Sequence, residues 1–233
     1  MSKVSYKVSD DPRLKNVDFH GRTVRPLYIK LTHARHSTTF KSAYFDQLIK
    51  PKHKLHIGAI SKIPTQQQIL AKEKQTIDFI IEKLGSTFNY ELFKKQYDYY
   101  TTDLCDLTEK EYNEFLMIYF SDEGMPAFAR SLYEGNKSEA IFQVIDDLKI
   151  CVTSASYEKL LDASYSMAPP YLVLYSFTRS LKKWPVTLSI AEWENKPIQQ
   201  LFMEHLKKNF LKLEPVRVLE QVNSYVEGVY RKT

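Results

Sequence analysis

The chain has 233 residues, 43% of them hydrophobic, with 33 Lys and Arg against 28 Asp and Glu. That length supports one large domain or two small ones around a sizeable core, and the apolar fraction is ordinary for a globular protein. No run reaches the ~18 apolar residues of a membrane span, the opening MSKVSYKVSDD lacks the apolar stretch of a signal peptide, and the six glycines never fall in a phosphate-cradling GxGxxG or GxxxxGK order.

The charge is unevenly placed. Residues 1–62 hold thirteen Lys and Arg and four Asp and Glu, whereas residues 63–233 hold twenty and twenty-four. Five of the six histidines, His20, His33, His36, His53 and His56, also lie in the first segment. One end is therefore suited to a polyanion while the rest is not. A solvated basic tail, or an interface to an acidic protein partner, would carry the same charge. The composition shift predicts a basic arm and β-hairpin segment over 1–62 and an α-helical domain over 63–233.

In chain order, residues 1–23 are polar, carry a turn signal at Asp10-Asp11-Pro12, and read as an extended arm. From Val24 to Thr32 the pattern alternates: Leu27, Ile29 and Leu31 share one face, Tyr28, Lys30 and Thr32 the other. That is the period of a half-buried strand. His33-Ala34-Arg35-His36 reads as a turn, and Ser37 to Phe45, rich in Thr and aromatics, as a second strand. A third short strand near Leu55–Ile60 is one reading; a two-stranded hairpin, marginal alone in water, needs either this strand or the helical body behind it.

From Pro64 the period becomes helical. Thr65-Gln66-Gln67-Gln68 has the form of a capping box, and Ile69, Ile77, Ile80, Ile81 and Leu84 form a stripe that ends at Gly85. Asn89 predicts the cap of a helix to about Tyr100, with Phe88 and Phe93 as a hydrophobic staple, and Thr108-Glu109-Lys110-Glu111 a second capping box with a helix to about Asp122. Further helices are predicted at about 127–134, 138–150, 155–165 and 169–183, a short turn after Ser189, and helices opened by Pro197 and Pro215. The fold class is thus mostly α, with an N-terminal β-hairpin or small β-sheet at about 24–60 followed by a multi-helix bundle.

Chemistry-bearing constellations are sparse. His33/His36 and His53/His56 form two HxxH pairs, but they sit among basic residues without supporting Cys or carboxylate spacing, an indifferent ligand set for zinc. No metal and no cofactor are expected. There is no GxSxG or HExxH, and paired acids such as Asp146-Asp147 read as solvated surface charge. No catalytic residue and no enzyme activity are expected. Cys105 and Cys151 lack CxxC spacing and read as two buried reduced thiols of a cytoplasmic protein. Phe93, Tyr97, Tyr99 and Tyr100 beside Lys94 and Lys95 have the composition of a base-stacking patch, yet Phe93, Tyr97 and Tyr100 also have the spacing of a core stripe. Trp184 with Arg179, Lys182 and Lys183 is a second basic-aromatic patch.

The hairpin concentrates the remaining signal. A β-ribbon fits a DNA groove, with Lys and Arg on phosphates and Ser, Thr or Tyr as donors. The candidate nucleic-acid-binding residues are Arg22, Arg25, Tyr28, Lys30, Thr32, His33, Arg35, His36, Thr38 and Lys41. The other reading is a hairpin that packs on the helices and exposes its charges to water.

Pro26-Leu27-Tyr28-Ile29-Lys30-Leu31-Thr32 and Thr39-Phe40-Lys41-Ser42 resemble the strand, basic turn and strand of the arm-type DNA-binding segment of tyrosine recombinases, the integrases of phages and transposons, especially those of Bacteroidetes. Phe88, Glu91, Phe93 and Lys94 are similar to the phrase that leads into the core-binding domain of that family. The resemblance spans roughly residues 22–100. It implies a DNA-binding arm with duplex DNA as partner. The family's catalytic domain needs Arg, Lys, a His-x-x-Arg pair and a Tyr nucleophile, and no HxxR occurs: His205, for one, is followed by Leu206, Lys207 and Lys208. The resemblance therefore implies a non-catalytic accessory or regulatory protein of a mobile element or phage, in the bacterial cytoplasm. The alternative is a virion or assembly protein, homo-oligomeric or bound to other subunits, whose basic N-terminus is a protein interface.

Overall fold

The alternation at Leu27–Thr32 becomes the central strand of an N-terminal sheet. The computed structural model describes residues 4–10, 14–57, 60–135, 139–182 and 185–232, which form two compact units, residues 1–101 and 102–232. The composition shift at residue 62 falls inside the first of them. Among the described residues the architecture is mostly α, eleven helices with a small N-terminal antiparallel sheet, as the periodicities predict.

The first unit contains β1 (Ser5–Asp10), β2 (Val17–Phe19), β3 (Arg22–Val24), β4 (Leu27–His33), β5 (His36–Lys41), α1 (Ala43–Leu48), β6 (Leu55–Ile57), β7 (Ile60–Lys62), α2 (Gln66–Leu84) and α3 (Tyr90–Thr101). The main sheet has the order β1-β4-β5, while β2-β3 and β6-β7 are separate hairpins. The segment before Val24 is therefore no extended arm. Tyr6 and Val8 pair with Leu31 and Ile29, and Phe19 is buried against Phe45, ring centroids 5.4 Å apart. Nor does the strand at residues 55–57 complete the sheet, because β1 already occupies that edge of β4.

The second strand is also shorter than the aromatics at Tyr44 and Phe45 suggest. Ser42 ends it: its hydroxyl accepts from the Phe45 N–H at 2.9 Å and caps α1. Tyr44, Phe45 and Leu48 are then buried on one side of that helix, in a cluster with Phe19, Leu27 and Ile69. Both halves of the Thr65 capping box form, at 3.2 and 2.9 Å, and Gly85 ends α2 at φ 47°. The Asn89 side chain accepts from the Leu92 N–H at 2.8 Å. Phe93, Tyr97 and Tyr100 are buried, so the core stripe, not base stacking, accounts for their spacing.

The second unit consists of α4 (Leu104–Asp122), α5 (Pro126–Gly135), α6 (Ile141–Cys151), α7 (Ser154–Met167), α8 (Tyr171–Ser180), α9 (Ile190–Trp193), α10 (Lys196–Asn209) and α11 (Pro215–Lys232). α4 begins one turn before the Thr108 box. Asp103 is its cap, accepting from Cys105 and Asp106 N–H groups at 2.7 and 3.2 Å, because Leu104 and Cys105 extend the buried stripe backwards. Thr108 lies inside the helix, its hydroxyl donating to the Leu104 carbonyl at 2.7 Å. Trp193, Phe177 and Phe202 are fully buried and meet edge to face at 5.2 Å. Cys105 is buried, but Cys151 is exposed, since it ends α6 on the solvent side. Arg179 stacks over Phe142 at 5.4 Å. Trp184 and Lys183 of the second basic-aromatic patch, and the Asp11-Pro12 turn, lie outside the described residues. Among the described residues no helix is long and apolar enough to cross a membrane.

Candidate nucleic-acid interface

The register of the main sheet sorts its side chains into two faces. Leu27, Ile29 and Leu31 are buried, with Val8 and Phe40 paired to Ile29 on the same side. Phe40 meets Phe93 and Tyr97 of α3 at 5.9 and 5.1 Å. The opposite face runs in three rows across β1, β4 and β5: Ser5–Thr32–Ser37, Lys7–Lys30–Thr39 and Ser9–Tyr28–Lys41. Lys7, Lys30, Thr39 and Lys41 are exposed. Thr32 and Ser37 hydroxyls bond across the strands at 2.8 Å. These nine positions hold three lysines, a tyrosine, five hydroxyl side chains and no carboxylate.

Directly opposed like charges destabilise an antiparallel pair, and Lys7 faces Lys30 across the ladder. The hydroxyls and the Tyr28 phenol add donors of the kind that meet phosphate oxygens. The face is thus a cationic, donor-rich surface whose counter-charge is not supplied from within it.

Of the ten sequence-predicted residues, Tyr28, Lys30, Thr32 and Lys41 come together on this face. Arg35 and His36 are exposed at the β4–β5 turn, and His36, opposite His33, lies on the side away from this face. Thr38 does not join them. It pairs with Leu31 and so lies on the core side. His33 is half-buried, its ring edge-on to Phe88 at 4.8 Å. Arg22 is exposed on β3, in a separate sheet, and Arg25, in the link to β4, lies 3.6 Å from Asp10. Sequence reasoning missed Lys7, Ser5, Ser9, Ser37 and Thr39. The signal for the first was the alternation of Tyr6 and Val8 with Ser5, Lys7 and Ser9.

A buried polar network fixes the helices behind the sheet. Glu73 of α2 is fully buried. Its carboxylate accepts from the Ser42 hydroxyl, from the Tyr97 hydroxyl at 2.8 Å and from the Tyr44 N–H at 3.4 Å. Tyr97 in turn accepts from the Ala43 N–H at 2.8 Å. One carboxylate so ties α1, α2 and α3 together. Burial raises the Glu73 pKa above the ordinary carboxylate range, against the opposing pull of the Ser42, Tyr97 and Tyr44 donors. At the sheet edge the Tyr6 hydroxyl donates to Asp78 at 2.7 Å. Burial, then the hydrogen bond to Asp78, pushes its pKa up to about 12.

His33 and His36 pair across the turn, with one turned to the aromatic side and one to solvent, and the side chain of His56 is outside the described residues. Among the described residues no three His, Cys, Asp or Glu side chains gather as a metal site requires. Comparison with protein-family models, with curated proteins and with solved structures returns no match.

Proposed function

We propose that the chain is a non-catalytic DNA-binding accessory or regulatory protein of a mobile element or phage, acting in the bacterial cytoplasm, and that the outer face of the β1-β4-β5 sheet is its contact with duplex DNA. The observation that carries this reading is the Lys7–Lys30 pairing, with Lys41 on the same face and no carboxylate among the nine outer positions. A polyanion supplies the charge that this arrangement lacks. The resemblance of residues 26–32 and 39–42 to the arm-type segment of integrases supports the same partner.

The test is an electrophoretic shift titration of duplex DNA at two salt concentrations, with the unaltered protein and with Lys7, Lys30 and Lys41 changed to Ala. The unaltered protein binds, and more weakly as salt rises. Each lysine that touches a phosphate lowers the slope of log K against log salt by about 0.9 when removed. An unchanged affinity and slope in the triple variant would refute the reading.

A second reading is a virion or assembly protein. It is favoured by Met117, Ile118, Met125 and Phe128, large apolar side chains exposed around the α4–α5 connection. Light scattering that shows a ring or a higher oligomer, together with no retention of DNA, would select it.

A further inference from the structure

The β4–β5 turn is conformationally costly, and its own residues do not relieve the cost. Ala34 and Arg35 both occupy the left-handed region, at φ 49° and 69°, between the paired residues His33 and His36. Two consecutive left-handed residues give the turn whose twist suits a hairpin, and Asn-Gly or Asp-Gly adopt it readily. Ala and Arg have neither the freedom of glycine nor the local side-chain bond of Asn. Such a conformation persists where surrounding structure holds it.

The Tyr90 hydroxyl is placed to do this. It accepts from the His33 N–H at 2.9 Å and donates to the His36 carbonyl oxygen at 2.6 Å, with the His33 carbonyl oxygen at 3.1 Å. These bonds span the mouth of the turn. The phenol ring lies against Phe88 at 5.9 Å and His33 at 6.4 Å. Tyr90 opens α3 behind Asn89, so the hydroxyl is anchored to a helix, not to the hairpin that it grips.

We infer that Tyr90 is a positioning residue of the sheet face: its hydroxyl latches the turn and holds Arg35 in a set place at the end of the sheet, next to the Ser5–Thr32–Ser37 row. The inference rests on the DNA-binding reading above. A turn already ordered before contact spares the complex the cost of immobilising Arg35 on binding.

The test is Tyr90→Phe, which keeps the ring and removes the bonds, alone and together with Ala34→Asn, since Asn tolerates the left-handed region. Amide hydrogen exchange at His33 and His36 and duplex affinity at two salt concentrations are measured on all three proteins. Tyr90→Phe raises turn exchange by about tenfold and weakens duplex binding by about fivefold, the scale of one hydrogen bond, and Ala34→Asn restores both. Unchanged exchange overturns the latch. Faster exchange with unchanged affinity, or a loss that Ala34→Asn does not repair, overturns the link from turn to binding. Absence of binding by the unaltered protein overturns the sheet reading and the positioning role with it, a result distinct from failure of the inference alone.

Discussion

The outer sheet face of the first unit and the helices of the second meet charge differently. In residues 102–232 several acids have partners distant in sequence: Lys159 reaches Glu123 at 2.7 Å, Lys212 reaches Asp162 at 3.2 Å, and the Tyr225 hydroxyl donates to Glu111 at 2.6 Å. Glu109 of α4 has a structural task. Its carboxylate accepts from the Ile141 N–H at 2.9 Å and the Tyr171 hydroxyl at 2.8 Å, so it caps α6, whose own cap residue, Ala140, has no side chain to do so. In residues 1–101 the most deeply buried acid, Glu73, is enclosed on the core side of the fold by hydroxyl and amide donors, while the lysines of the sheet stand on the outer face. Net charge alone would rank the first unit as basic. The arrangement adds that three of its lysines, Lys7, Lys30 and Lys41, share one sheet face whose nine positions hold no acid, while its buried acid is held by hydroxyl and amide donors.

The comparison breaks first, and hardest, at Glu73. Glu73→Ala leaves Ser42, Tyr97 and the Tyr44 N–H without their acceptor in a buried site, and is expected to lower stability in urea unfolding by about 3 kcal/mol. The pH dependence has a definite sign. A carboxyl whose folded pKa is raised binds its proton more tightly folded than unfolded, so its contribution is full below the ordinary Glu pKa and is lost as pH rises through the folded value. Glu73→Gln removes that titration. The stability difference between Glu73→Gln and the unaltered protein should therefore shift in favour of Gln as pH rises through that window, and a difference flat in pH would show that Glu73 titrates alike in both states.

Next is Glu109→Ala, which uncaps α6 and leaves the Tyr171 hydroxyl without its acceptor. A loss of about 1–2 kcal/mol in thermal or urea unfolding is expected, with duplex binding intact. Loss of binding in this variant would mean that the second unit shares in recognition. The smallest effect sharpens the comparison most. Lys30→Glu turns the Lys7–Lys30 opposition into an opposite-charge pair and should stabilise the protein by about 0.5 kcal/mol, while weakening DNA binding. A variant that gained stability and kept its affinity would separate the sheet face from the DNA.

Much of this was legible in the chain, because the interactions concerned are local. The strand at Leu27–Thr32, the Thr65 box and the Phe93, Tyr97, Tyr100 stripe each depend on residues within one or two turns of each other. The misassigned places depend on partners far away. Lys7 reaches the face only because β1 pairs with β4. Tyr90 is 57 residues from His33, and nothing in the spacing of either announces the bond. Ser42 looked like strand because its neighbours are aromatic and β-prone, while its hydroxyl was ending the strand. Thr38 was recoverable: a two-residue turn at Ala34–Arg35 sets His33 opposite His36, and counting back two residues on each strand puts Thr38 opposite buried Leu31.

The order of the strands in the sheet bears on how a newly made chain is protected. β4 and β5 are joined by two residues and close on the microsecond scale typical of hairpins, about 1–10 μs. β1 must return across sixteen intervening residues, which include the β2–β3 hairpin, before it pairs with β4. Until it docks, β4 is an open edge that carries Ile29 and Leu31, the kind of apolar border on which a second chain adds itself. β1, whose outward residues include Lys7, is therefore also the guard that shuts this border.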